Sequence, residues 1–227
     1  MSSSATPDVF TRAAPSPFHF NSSSHLLRIE RERADSLGEL LDALRSCPDE
    51  SIFQHTFQTL QEHHYIREGF SNDFAHWAYT ECNEAGLAER LAAIDVRTFT
   101  SLASLREQII RIVEDYLKWN PLSRDRAALE PFYFCASESV VIPTPFKAQN
   151  LREFIEALKQ VSIHSIHHHF IEARLRLKLA SNDFSAWLEK ELGLRQAAAS
   201  LNRIDIYTLT LEDVRNQLIR MLSNARA

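Results

Sequence analysis

Residues 71–77 read Ser-Asn-Asp-Phe-Ala-His-Trp, and residues 181–187 read Ser-Asn-Asp-Phe-Ser-Ala-Trp. A polar Ser-Asn-Asp triplet ahead of an aromatic suits a helix start. Its short side chains satisfy orphan amides and place negative charge at the positive end of the dipole. Phe74 with Trp77, and Phe184 with Trp187, stand three residues apart and share a helical face. An offset of 110 also places Ile94-Asp95 on Ile204-Asp205.

Working outward, further blocks match in the same order. Upstream, at an offset of 114, Phe18-His19-Phe20 falls on Phe132-Tyr133-Phe134. Ser23/Ser137, Ala34/Ala148, Leu37/Leu151, Glu39/Glu153 and Ser51-Ile52/Ser165-Ile166 follow without a gap. Downstream, at 109, Ser101-Leu102 falls on Thr210-Leu211 and Arg106 on Arg215. Repeated blocks in one order predict a duplicated unit. The expected fold is therefore mainly α, with two tandem pseudo-equivalent helical repeats, each opening on a short extended or β segment. The expected boundaries are a disordered tail at 1–17, repeat one at 18–119, a linker at 120–131 and repeat two at 132–227.

Within each repeat, Ser36 with Glu39 and Asn150 with Glu153 have capping-box spacing. Leu37, Leu40, Leu41 and Leu44 form the buried stripe of the helix that follows, matched by Leu151, Phe154, Ile155 and Leu158. A second helix is expected near 51–65 and 164–179, a third at the Ser-Asn-Asp-Phe starts, and a last one from Ser101 or Thr210.

Composition narrows the function. The 25 basic and 30 acidic residues give a net charge of −5, and no basic run marks a nucleic-acid surface. Only 4 glycines occur, which disfavours a glycine-rich phosphate loop. Cys47, Cys82 and Cys135 are widely spaced and odd in number, which fits a reduced cytoplasm rather than a disulfide framework. No apolar run is long enough to cross a membrane.

The elements Phe132-Tyr133-Phe134-Cys135, Val141-Ile142-Pro143, Leu151-Arg152-Glu153-Phe154, Ser165-Ile166, Glu172-Ala173-Arg174-Leu175 and Asn182-Asp183-Phe184 with Trp187 resemble a prokaryotic family of unknown function, DUF5752. The first half matches through Ser51-Ile52, His55, Asn72-Asp73-Phe74, Trp77 and Leu87-Ala88-Glu89-Arg90-Leu91. The resemblance implies a prokaryotic source and a twofold build, and transfers no catalytic residues.

The candidate ligand-binding residues are His55, His63, His64, Asp73, His76, His164, His167, His168, Glu172 and Asp183. Paired imidazoles at helical spacing, with carboxylates nearby, can take a divalent metal. No HExxH motif is present, so the expectation is that these histidines satisfy polar contacts between helices, with no cofactor and no committed metal. Asp73 and Asp183 read as caps, Trp77 and Trp187 as core, and Cys47 as a small packed hydrophobe. The expected function is a non-enzymatic cytoplasmic interaction or regulatory module that binds a protein or small ligand between its two helical repeats. The alternative is a metal-binding protein, possibly in the form of a metal-dependent hydrolase.

Overall fold

The computed structural model describes residues 8–58, 70–173 and 181–225. In chain order the elements are β1 (Phe18–Ser36), α1 (Leu37–Ser46), α2 (Asp49–Phe53), α3 (Asp73–Thr80), α4 (Ala85–Ala92), α5 (Leu102–Trp119), β2 (Ala127–Ala148), α6 (Leu151–Gln160), α7 (Ile163–His167), α8 (Asp183–Leu192), α9 (Arg195–Leu201) and α10 (Leu211–Ser223). A π-helical turn follows α2 at Gln54–Gln58, and another follows α7 at His168–Glu172.

The mainly α expectation is corrected by the two strands. β1 has 19 residues and β2 has 22, and they pair antiparallel as a two-stranded sheet, so the fold is mixed α and β. Buried alternation occurs near the strand ends, at Phe18/Phe20 and Ala34/Ser36 of β1 and at Phe132/Phe134/Ala136 of β2. The middle of each strand, 24–33 and 138–147, is half-buried or exposed on both faces, so burial alternation does not mark it in the sequence.

The expected pair of tandem helical repeats also fails as a description of the compact units. Unit 1 comprises Met1–Ser24 and Val141–Ala227, and unit 2 comprises His25–Val140. Each boundary cuts through a long strand. Unit 1 therefore holds the start of β1 and the end of β2, whereas unit 2 holds the end of β1 and the start of β2.

In unit 2, Phe132 and Phe134 pack on Phe74 at ring-centroid distances of 5.1 and 6.3 Å, and Trp77 meets Phe132 at 5.7 Å. Leu40 and Leu44 of α1, Leu87 and Leu91 of α4, and Leu105 and Val113 of α5 are fully buried around them. In unit 1, Phe18 and Phe20 each lie 5.2 Å from Phe154, and Phe154 stacks on Trp187 at 5.1 Å. Leu158, Leu188, Leu218 and Leu222 complete that core. Apolar burial of this kind stabilises each unit by about 1.5–3 kcal/mol per large side chain.

Capping chemistry explains the helix starts. Ser36, Asn72, Ser101, Asn150, Asn182 and Thr210 each accept the amide three residues on. At α1 and α6 the glutamate reaches one residue further back than the expected box: Glu39 takes the amide of Asp35 at 2.8 Å, and Glu153 that of Gln149 at 2.7 Å. The full reciprocal box occurs at Thr210 and Asp213.

Part of the expected disordered tail is held in unit 1. Phe10 and Gln149 accept the amides of Arg152 and Ala14 through their carbonyls, at 3.1 and 2.6 Å, and Ala14 is buried. The expected linker 120–131 contains a 3₁₀ turn at Pro121–Ser123 and then the start of β2. No helix among the described residues is long and apolar enough to cross a membrane.

Candidate functional site

Each unit builds a histidine on its π-helical turn into the same set of partners. In unit 2, His55 Nδ1 lies 2.8 Å from Asp73 Oδ2, and the Cys135 amide of β2 donates to His55 Nε2 at 2.9 Å. In unit 1, His169 Nδ1 lies 2.7 Å from Asp183 Oδ2, and the Asn21 amide of β1 donates to His169 Nε2 at 2.7 Å. A backbone amide can only donate, so Nε2 is the acceptor and Nδ1 carries the proton it gives to the aspartate. Both imidazoles are thereby fixed as the neutral Nδ1–H tautomer. Their rings sit among aromatics: His55 lies 4.7 Å from Phe132, and His169 lies 4.9 Å from Phe18.

The π turn widens the helix by one residue. Residues 54–58 and 168–172 stand 114 apart, the offset of the upstream sequence block. The tryptophans follow suit. Trp77 Nε1 donates to Glu130 O at 2.8 Å, and Trp187 Nε1 donates to Ser16 O at 2.9 Å. Each indole therefore packs in the core and ties down the chain just before the aromatic strand start.

Of the sequence candidates, unit 2 brings His55, Asp73 and His76 to one open cleft of about 270 Å³, lined also by Trp77, Thr80, Glu81, Glu130, Pro131, Phe132 and Tyr133. Three carboxyl-bearing residues line it and no lysine or arginine does. Asp73 keeps about a third of its side chain exposed, while His55 behind it is buried.

Unit 1 brings together His167, His168 and Glu172. Glu172 accepts from His167 Nδ1 at 2.9 Å, from His168 Nδ1 at 3.2 Å and from Ser23 Oγ at 2.9 Å. All four residues are buried. Unit 2 carries Phe53, Gln54, Gln58 and Ser137 at the positions 114 earlier or later in the sequence, so it does not reproduce this cluster. Asp183 joins His169 instead, and His164 is exposed on α7. His63 and His64 lie outside the described residues.

Sequence reading aligned His55 near His168 or His169 and left His169 out of the candidates, because four histidines crowd 164–169. The offset of 114 that relates the two π turns is the signal that selects it. It also missed the strand amides of Asn21 and Cys135, which no side chain announces.

The cysteines are poor nucleophiles. Burial pushes the Cys47 thiol up to about 11 and the Cys82 thiol up to about 12, and Cys135 is also raised by burial. Each is then a thiol at neutral pH. Arg106 Nη2 donates to Asp49 at 2.6 Å, and Arg215 Nη1 donates to the carbonyls of Leu158 and Val161 at 3.2 and 2.8 Å. The second arrangement covers the C-terminal end of α6.

The comparisons agree with this architecture. The model of a family of unknown function, DUF5752, matches residues 15–223. A solved structure, OrfY from Thermoproteus tenax, is similar with a TM-score of 0.85 and 30% identity, over 95% of this chain and 98% of that one. No curated protein matches. With nearly its whole length matched, from the aromatic start of β1 to the end of α10, the chain belongs to the DUF5752 family.

Proposed function

We propose that the protein is a non-enzymatic cytoplasmic binding module that holds a small, positively charged organic ligand in the cleft of unit 2. The observation that carries this reading is the convergence of Asp73, Glu81 and Glu130 with the aromatic residues Trp77, Phe132 and Tyr133 on one cleft without a basic side chain. Carboxylates pair with an ammonium group and aromatic faces attract the same charge. The cleft is at the small end of ligand sites, which suits an amine rather than a nucleotide. His55, the obvious base, has both ring nitrogens engaged within the fold. The reduced cysteines support the cytoplasmic placement.

Isothermal titration with putrescine and spermidine, using glucose and sulfate as controls, tests the reading. Binding of an amine that weakens about tenfold or more in Asp73→Asn and Glu130→Gln supports it. Absence of amine binding, or binding indifferent to both substitutions, defeats it.

A second reading, a metal-binding protein, is favoured by the His167–Glu172–His168 cluster of unit 1. Two imidazoles and a carboxylate are ligand types for zinc, iron or manganese. Elemental analysis of untagged protein decides it, since a resident ion here would be lost in Glu172→Gln and kept in Asp73→Asn.

A further inference from the structure

The outer edge of β1 in unit 2 has the makings of a self-association surface. Among the described residues the sheet has two strands, so β1 has β2 on one side and no strand on the other. Leu26, Leu27 and Ile29 are 60, 61 and 73% exposed. Consecutive strand residues point to opposite faces, so apolar surface is exposed on both faces of this segment. Proteins blunt such edges with prolines or charged side chains. β2 uses prolines at the positions aligned with 28–33, which include Pro143 and Pro145, whereas β1 has no proline and carries Arg28, Glu30, Arg31, Glu32 and Arg33, whose mixed signs a second strand of the same sequence can match.

The charges along β1 select a register. Two antiparallel copies of one strand, related by a two-fold axis perpendicular to the sheet, must place some residue opposite its own copy. Centring on Arg28 sets arginine against arginine. Centring on Glu30 or Arg31 likewise opposes like charges. Centring on Ile29 sets isoleucine against isoleucine and brings each Arg28 opposite Glu30 of the second copy. On the other face, each Leu27 lies diagonal to the second copy's Ile29 and opposite its Arg31. Arg28 and Glu30 pair along the strand at 2.8 Å, with the arginine side chain 67% exposed and the glutamate 16%. Opposite-charge and apolar cross-strand pairs each stabilise such an edge, and like charges there destabilise it.

We propose that two copies of the chain associate through this edge, antiparallel about Ile29, joining their two-stranded sheets into one four-stranded sheet. The partner is a second copy because the strand's own charge sequence is self-complementary at that register.

Sedimentation velocity of the full-length, untagged protein tests this. The expected result is a concentration-dependent dimer. Arg28→Glu sets two carboxylates against each other at the Glu30 position and weakens the dimer about tenfold or more. The double variant Arg28→Glu/Glu30→Arg restores opposite charges and recovers the dimer. Ile29→Lys also gives monomer. Unchanged circular dichroism confirms that these exposed substitutions leave the fold intact. Hydrogen exchange at the amides of 27–31 slows with dimerisation. A monomer at every concentration overturns the proposal, as does a dimer that Arg28→Glu and Ile29→Lys leave unchanged.

Discussion

The Asn21 amide of β1 donates to His169 Nε2 at 2.7 Å, so a residue near the start of the chain fixes the tautomer of one 148 positions later. The same imidazole gives its Nδ1 proton to Asp183. His55 repeats the arrangement with Cys135 and Asp73. The histidine is a strut between strand and helix in both units, and its removal takes one hydrogen bond from a strand amide and one from a carboxylate. Leaving a buried amide unmade costs about 1–3 kcal/mol. Asp183 is 16% exposed in its side chain and Asp73 35%, so water compensates the second better. His169→Ala is therefore expected to lower the denaturant midpoint more than His55→Ala. Equal losses measured by urea unfolding would refute the ranking.

The strands also decide what a truncation does. Phe18 and Phe20 contact Phe154, Phe184 and Trp187, all far along the chain. Removing residues 1–24 uncovers that aromatic surface, and losing one such phenylalanine alone costs about 3–5 kcal/mol. Hydrogen exchange on the shortened chain is expected to show lost protection at 151–160 and 183–192. Protection at 37–46 and 102–119 is expected to persist. If the N-terminal segment packed only on its own sequence repeat, the pattern would be reversed.

Glu172 carries a separate prediction. Its carboxylate accepts from His167, His168 and Ser23 while buried. A glutamine keeps the shape but replaces one acceptor oxygen with a donor, which faces N–H or O–H groups. Glu172→Gln is expected to cost about 1–3 kcal/mol in urea unfolding. Glu156→Gln, whose side chain is 56% exposed and pairs with Lys159, is expected to cost under about 0.5 kcal/mol.

Much of this was legible in the sequence, and the losses have physical reasons. The caps at Ser36, Asn150 and Thr210 were readable because an N-cap is local chemistry, set within three residues. At the Ser-Asn-Asp starts the asparagines Asn72 and Asn182 are the caps, and Asp73 and Asp183, read as caps, are the first helical residues and pair with His55 and His169. The core stripes of α1 and α6 were readable because helical burial leaves a 3–4 spacing. The length of β1 was not, because Arg28–Arg33 alternates charges and is largely exposed, so it shows neither a buried face nor a turn. The exchange of strand starts was invisible too. Matching Phe18 with Phe132 shows that two aromatics do the same job, and says nothing about which helices each one packs on. His55, Asp73 and His76 could be proposed as a group because they lie within 22 residues, whereas Glu130 and Tyr133 reach the same cleft only through folding.

Alkaline stability gives the last test, through Tyr116. Its hydroxyl is pushed up to about 12, first by burial and then by its hydrogen bond to Glu84, from an ordinary value of 10.0. Arg126 donates to the same carboxylate, which is buried. A raised phenol means the folded state holds its proton over a range where the unfolded chain has lost it. The stabilisation is complete below about pH 10 and is lost as pH climbs through about 12. Cys82, pushed up to about 12 from 9.0 chiefly by burial, acts in the same direction from a lower starting pH. Tyr116→Phe removes the titrating proton and leaves Glu84 with one donor fewer. Its urea midpoint is expected to lie below wild type near pH 8 and to fall less steeply between about pH 10 and 12. Parallel pH profiles for the two proteins would show that Tyr116 titrates alike in the folded and unfolded chains, and that the Glu84 contact does not hold its proton.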